Sequence, residues 1–157
     1  MDFGNLKMYI NGELTSSRNT MTKDIISPLN DEKIATLAWG SSNDSIRALE
    51  SAKEGFKVWS NTPINKRKEW MLLIREKILE NEEILRKSIS YEMGKPYSAT
   101  AEDIESITNS LKYYSDIIED YQRDKEIIDN ENTHKHYLIS KPVGVVVAYL
   151  AWNFPLL

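Results

Sequence analysis

Residues 141–157 read KPVGVVVAYLAWNFPLL. Val143, Val145, Val146, Val147, Ala148, Tyr149, Leu150 and Ala151 form an apolar run without alternation in polarity. Strands apolar on both faces are typical of parallel sheets covered by helices on each side. The run therefore predicts the first strand of a doubly wound α/β unit. In such sheets ligands bind beyond the carboxyl ends of the strands, where Trp152 and Asn153 stand. An asparagine there can donate its side-chain N–H to an oxygen that becomes negative during reaction. One such donor is worth about 3–4 kcal/mol of transition-state stabilisation in acyl transfer. Asn-x-Pro also suits an ordinary strand-to-helix turn, in which the amide bonds nearby backbone. Spacing leaves both readings open.

Upstream of the tail, DNENTHKHYLISKP (129–142) is polar and then alternates His134, His136 and Leu138 against Lys135, Tyr137 and Ile139. Neither face is strongly apolar, which suits an exposed arm or a sheet edge. His134 and His136 would share a strand face, but a metal needs further ligands, so they read as surface residues. Before them, Ile104, Ile107, Leu111, Tyr114, Ile118 and Tyr121 recur at threes and fours, predicting a long amphipathic helix lying on a larger body. YEMGKPYSAT (91–100) is punctuation: Gly94 fits the left-handed residue after a helix, and Pro96 keeps Lys95 from continuing it. A lone Gly-Lys pair lacks the glycine loop of a phosphate site, so Lys95 reads as part of this helix stop.

Three helices precede that stop. Ile46, Leu49, Ala52, Phe56 and Trp59 share one face of the first, with Ser42 or Asn43 as its cap. Thr62 as cap and Pro63 at the first helical position open the second, whose buried stripe is Ile64, Trp70, Met71, Ile74 and Ile78. Asn81 can end it and start a shorter helix carrying Ile84, Leu85 and Ile89. Trp39, Trp59 and Trp70 read as packing residues. In the opening forty residues, Asn11-Gly12 predicts a tight hairpin, and MTKDIIS and KIATLA flank a turn at Pro28–Asp31. Both pairs predict small antiparallel strands.

With 157 residues the chain can bury roughly two-thirds of its unfolded surface, enough for one ordinary domain. At 41% hydrophobic and 28% charged it has the composition of a soluble globular protein. Its net charge of -4 is spread over mixed-sign helices without a basic stripe, which argues against nucleic acid as a partner. It contains no cysteine, so these residues hold no disulfide, thiolate ligand or thiol nucleophile. The N-terminus lacks a signal-peptide pattern, and the apolar tail is too short and interrupted to cross a bilayer. A cytoplasmic location, without membrane association, is the expectation. No metal site is expected.

YINGEL (9–14), SPLNDEKIATLA (27–38), EMGKP (92–96) and the tail itself resemble, in that order, the aldehyde dehydrogenase superfamily. The resemblance spans Tyr9 to Leu157 and implies an α/β architecture, the N-terminal part of that family's fold. It divides the chain into strands and helices of the cofactor-binding domain (1–122), part of an oligomerisation arm (123–141), and the first core strand with its Trp-Asn-Phe-Pro turn (142–157). It implies an enzyme that oxidises a small-molecule aldehyde to a carboxylate with NAD or NADP. In the family a cysteine attacks the aldehyde to give a thiohemiacetal, hydride passes to the nicotinamide, and a glutamate-activated water releases the acid. The asparagine of Trp-Asn-Phe-Pro maps onto Asn153 and helps hold the substrate oxyanion. Ala151, Trp152 and Asn153 line the nicotinamide end of the cofactor site.

The family's cysteine, glutamate, cofactor-binding lysine and glycine turn lie beyond the residues present here. Glu92 and Glu102 match none of those motifs. The family's usual Thr-Pro or Ile-Pro before Trp-Asn is replaced by Leu150-Ala151. About the first third of such an enzyme is therefore expected, inactive alone, and a homo-oligomer when complete or the companion of a complementary C-terminal polypeptide. SPLNDEKIATLA with EMGKP most resembles the succinate-semialdehyde dehydrogenase branch. The alternative is a truncated, non-catalytic paralogue that only binds a partner.

Overall fold

The computed structural model describes residues 1–121, 124–131 and 133–157. Strands β1 (Asn5–Leu6), β2 (Met8–Ile10), β3 (Glu13–Thr15), β4 (Thr22–Ile26) and β5 (Lys33–Ala38) come first. Helices α1 (Ser42–Trp59), α2 (Ile64–Glu80), α3 (Glu82–Met93) and α4 (Ala101–Tyr121) follow, with a 3-10 turn at Tyr97–Thr100. Strands β6 (Lys125–Ile128) and β7 (Lys135–Leu138) pair antiparallel as a separate hairpin.

Asn11 (φ 55) and Gly12 (φ 78) take the positive angles that a tight turn requires, and they join β2 to β3. β4 and β5 pair antiparallel, as the turn residues between them predict. β1 departs from the expectation of antiparallel strands throughout: it runs parallel to β5, giving the order β1-β5-β4. The chain between them, which includes the β2–β3 hairpin and β4, returns β5 in the same direction. The Phe3 N–H donates to the Ile34 carbonyl (2.7 Å), and the Thr36 N–H donates to that of Gly4 (2.9 Å).

Ser41, rather than Ser42 or Asn43, caps α1. Its hydroxyl accepts from the Asp44 N–H while the Asp44 carboxylate accepts from the Ser41 N–H, a reciprocal capping box. Pro63 occupies the cap of α2, and the Thr62 hydroxyl donates backwards to the Val58 carbonyl (3.0 Å), so Thr62 closes the preceding turn instead. Asn81 separates α2 from α3 as expected. Gly94 (φ 78) ends α3, its N–H donating to the Ser90 carbonyl (2.9 Å).

α2 packs along α4, and α3 joins α4 through the 3-10 turn. Ile34 and Ala35 of β5, Ile89 of α3 and Ile104 of α4 are buried, as is Ile10 of β2. On α4 the buried line continues through Thr108 and Ser115, whereas Tyr114 and Tyr121 face solvent. Both small hydroxyls donate to carbonyls of their own helix at 2.7 Å, so they enter the contact with no polar group unmet. At this helix contact the Arg75 guanidinium of α2 donates to the Thr108 carbonyl (3.2 Å), beside side chains small enough to suit close packing. Apolar periodicity alone overestimates Tyr114 and Tyr121 for that reason.

Other expected burial is incomplete. Ile46, Leu49 and Trp59 on the apolar stripe of α1 are exposed, as are Trp70 and Ile74 of α2 and Trp39. An amphipathic stripe is buried only where a second surface covers it, and against α1 the described residues bring β2, the β2–β3 turn at Asn11 and the Ser17–Arg18 segment at its N-terminal end. The valine-rich run forms no strand: residues 142–150 carry no regular structure, and Val143 and Tyr149 are almost wholly exposed at 93% and 95%. A central parallel strand needs a neighbour on each side, and the described residues offer it none.

Candidate active-site turn

The end of α3 builds the place where the tail settles. Gly94 turns the chain sharply, and a Cβ there would stand 3.1 Å from Cγ of Pro28, in the turn between β4 and β5. That close approach brings the turn against the helix end. Ile26, Pro28, Ile89, Glu92 and Met93 then line one side of a cleft of about 340 Å³, and Trp152 and Pro155 line the other.

Lys95 follows Gly94 and turns inward. Its ammonium lies 2.5 Å from Oδ2 of Asp103 in the first turn of α4. Asp103 is buried (1% exposed), and its Oδ1 has no hydrogen-bond partner among the described residues. The same ammonium stands 4.9 Å from the centroid of the Phe154 ring, a cation–π distance. Within 142–157, among the described residues, the one backbone hydrogen bond runs from the Leu157 N–H to the Phe154 carbonyl (3.1 Å).

The three residues singled out in the sequence are contiguous here. Ala151, Trp152 and Asn153 are exposed. Trp152 lines the cleft although most of it faces solvent. Asn153 stands between Trp152, at the cleft, and Phe154, beside the Lys95 ammonium, and no hydrogen bond joins its amide to another described residue. An amide so placed can donate to an incoming oxygen. Lys95, read from the sequence as part of a helix stop, is paired with Asp103, a side chain to which the sequence drew no attention. The signal for Lys95 was its fixed place after a left-handed glycine; nothing local announces Phe154 as its partner.

His134 and His136 are exposed. His134 Nδ1 lies 3.3 Å from Asp129, whose carboxylate also accepts from the Thr133 N–H (2.7 Å). The Thr133 hydroxyl and these contacts hold the Asp129 carboxyl below its usual range. Among the described residues no three His, Cys, Asp or Glu side chains gather as a metal ion would require. No described helix is long and apolar enough to cross a membrane.

The family model described as "Aldehyde dehydrogenase family" matches residues 14–157. The chain belongs to the aldehyde dehydrogenase family. Its matched region holds the α2–α4 pair, the Gly94 turn and the Trp-Asn-Phe-Pro tail. This aldehyde dehydrogenase chain is 31% identical over 150 residues to 3,6-anhydro-alpha-L-galactose dehydrogenase of Vibrio sp. (strain EJY3), covering 95% of the chain and 31% of that protein. It is 31% identical over 153 residues to betaine aldehyde dehydrogenase of Bacillus subtilis (strain 168), covering 96% and 31%. Among solved structures, a 3,6-anhydro-L-galactose dehydrogenase in complex with NAP superposes with a TM-score of 0.87 at 27% identity, over 97% of this chain and 32% of that one. A betaine aldehyde dehydrogenase from Staphylococcus aureus in complex with NAD+ gives 0.74 at 30% identity, over 79% and 25%. The α/β architecture is thus that of the N-terminal region of aldehyde dehydrogenases. The chain spans about a third of the length of the curated relatives it matches (31%).

Proposed function

We propose that these residues form the N-terminal third of an NAD(P)-dependent enzyme that oxidises an aldehyde to a carboxylate, with Asn153 as an oxyanion donor. The observation that carries the reading is the exposed, unengaged amide of Asn153 on a turn seated against the end of α3. When the aldehyde carbon goes from trigonal to tetrahedral its oxygen gains negative charge, and a preorganised N–H strengthens its hold as that charge grows. The gain is therefore in turnover rather than in ground-state binding.

Ala151, Trp152 and Asn153 are contiguous and open to solvent, and would hold the nicotinamide end of the cofactor. The cofactor, when bound, supplies a hydride acceptor. The attacking thiol, the glutamate that activates water and the turn around the pyrophosphate belong to residues beyond those present. Alone, the chain is inactive by this reading. Residues 1–122 supply strands and helices of the cofactor-binding domain, 123–141 contribute to an oligomerisation arm, and 142–157 supply the first core strand, formed once neighbouring strands flank it, and the Trp-Asn-Phe-Pro turn. The complete protein is a cytoplasmic homo-oligomer, and succinate semialdehyde is the first aldehyde to try.

The exposed stripes of α1 and α2 also suit a non-catalytic chain that serves only to bind a partner. A chimera separates the two readings. Residues 1–157 are fused to the remaining two-thirds of the Vibrio relative, and aldehyde-dependent reduction of NAD and NADP is followed. The chimera should turn over. Asn153→Ala in it should lower kcat by about two to three powers of ten, with the cofactor KM little changed. Unchanged kcat in that variant removes Asn153 from the mechanism; a folded chimera with no turnover favours the binding-only reading.

A further inference from the structure

We propose that Lys95 is a positioning residue: held by Asp103, its ammonium grips the ring of Phe154 and thereby fixes the turn that presents Asn153. The catalytic consequence rests on Asn153 as the oxyanion donor; the positioning does not.

The turn is otherwise weakly secured. Residues 142–150 form no strand, and among the described residues the backbone of the tail contributes one hydrogen bond, between Phe154 and Leu157. Trp152 and Pro155 touch the cleft, but each apolar contact leaves the backbone free to rotate. Phe154 is the immediate neighbour of Asn153, so a hold on its ring constrains the preceding peptide directly. Lys95 is well placed to supply that hold. Its Cα is fixed by the left-handed Gly94 before it and Pro96 after it. Its side chain is only 15% exposed, so water screens the ammonium little and the attraction to the ring face is stronger than at an open surface.

Asp103 explains why the ammonium stays there. A carboxylate 1% exposed with a single cationic partner and one oxygen unmet among the described residues is a costly group to bury. A plain apolar contact between α3 and α4 would serve packing as well. What the carboxylate adds is direction, since it draws the flexible lysine toward the tail and away from solvent. An ion pair serving the helix contact alone would be indifferent to the ring.

The test is backbone 15N relaxation on the 157-residue chain, with the Lys95 ε-methylene shift as a second readout. In wild type, residues 152–156 should show order parameters near about 0.8, and the ring current should move the ε-methylene upfield. Phe154→Leu removes the π face and leaves the ion pair; the tail should fall below about 0.6 and the upfield shift vanish, with α4 unchanged. Phe154→Tyr keeps the face and should restore both. The double variant Lys95→Met with Asp103→Asn removes both charges together, leaving no carboxylate buried alone, and should loosen the tail as Phe154→Leu does. A Phe154→Leu tail as ordered as wild type overturns the proposal, as does a Phe154→Tyr tail as loose as Phe154→Leu. If Phe154→Leu loosens the tail while Asn153→Ala leaves the chimera's kcat untouched, the oxyanion reading falls and the positioning stands; the opposite pair of results sinks the positioning alone.

Discussion

Asp44 joins segments far apart in the chain through one carboxylate. It accepts from the Ser41 N–H (3.0 Å) and hydroxyl (2.8 Å), the Ser17 hydroxyl (2.9 Å) and the Arg18 N–H (3.3 Å), while Arg47 stands 3.2 Å away. The Ser41 N–H and hydroxyl, then the Ser17 hydroxyl and the Arg18 N–H, hold its carboxyl well below the usual range against the opposing effect of burial. A depressed folded pKa means that the stabilisation is complete above the unfolded value of about 4 and is lost as pH falls toward the folded one. Asp44→Asn should therefore lower the thermal midpoint at neutral pH. The gap from wild type should narrow as pH drops below about 4, read by circular dichroism melts. A gap that stays constant with pH would mean that the charge is not what matters. The sequence signal was present, since Ser41 and Asp44 have capping-box spacing. Composition made Ser42 and Asn43 the expected caps; the cap is Ser41, the residue whose spacing to Asp44 closes the reciprocal box.

At the scale of elements, α3 ends where a glycine ends it, and that was legible because the left-handed conformation is a backbone property. Gly94→Ala places a Cβ at φ 78, at a cost of about 1–2 kcal/mol. The new methyl also meets Pro28 at 3.1 Å, so the turn between β4 and β5 must give way or the helix end must unwind. The urea midpoint should fall accordingly. The cleft-lining Trp152 should report the shift of Pro28 by a change in emission, which a substitution at exposed Gly55 would not produce. The buried line of α4 was only half legible. Ile104, Ile107, Leu111 and Ile118 follow the apolar period, but Thr108 and Ser115 enter the helix contact as small groups whose hydroxyls bond inward. Periodicity counts hydrophobicity, whereas close helix approach selects for size. The parallel pairing of β1 was hidden for another reason: its two residues carry no pattern, and their place depends on where β5 lies.

Taken whole, the molecule shows which statements a sequence makes locally and which need a neighbour. Turn residues, caps and helix periods depend on adjacent positions, and these were readable. Whether an apolar stripe is covered depends on what lies opposite. α1 and the valine-rich tail carry the composition of buried elements and stand largely uncovered among the described residues. The contact of Lys95 with Phe154 joins two positions remote in sequence, and only folding brings them together. The bare stretch before the tail's anchor has one more consequence, for proteolysis. Tyr149 is 95% exposed with no ladder to protect its peptide, so chymotrypsin should nick there first while α2 and α4 stay intact, as intact-mass spectrometry would record. That single cut would release Leu150–Leu157 as a free peptide and carry the Asn153 amide away from an otherwise undamaged frame.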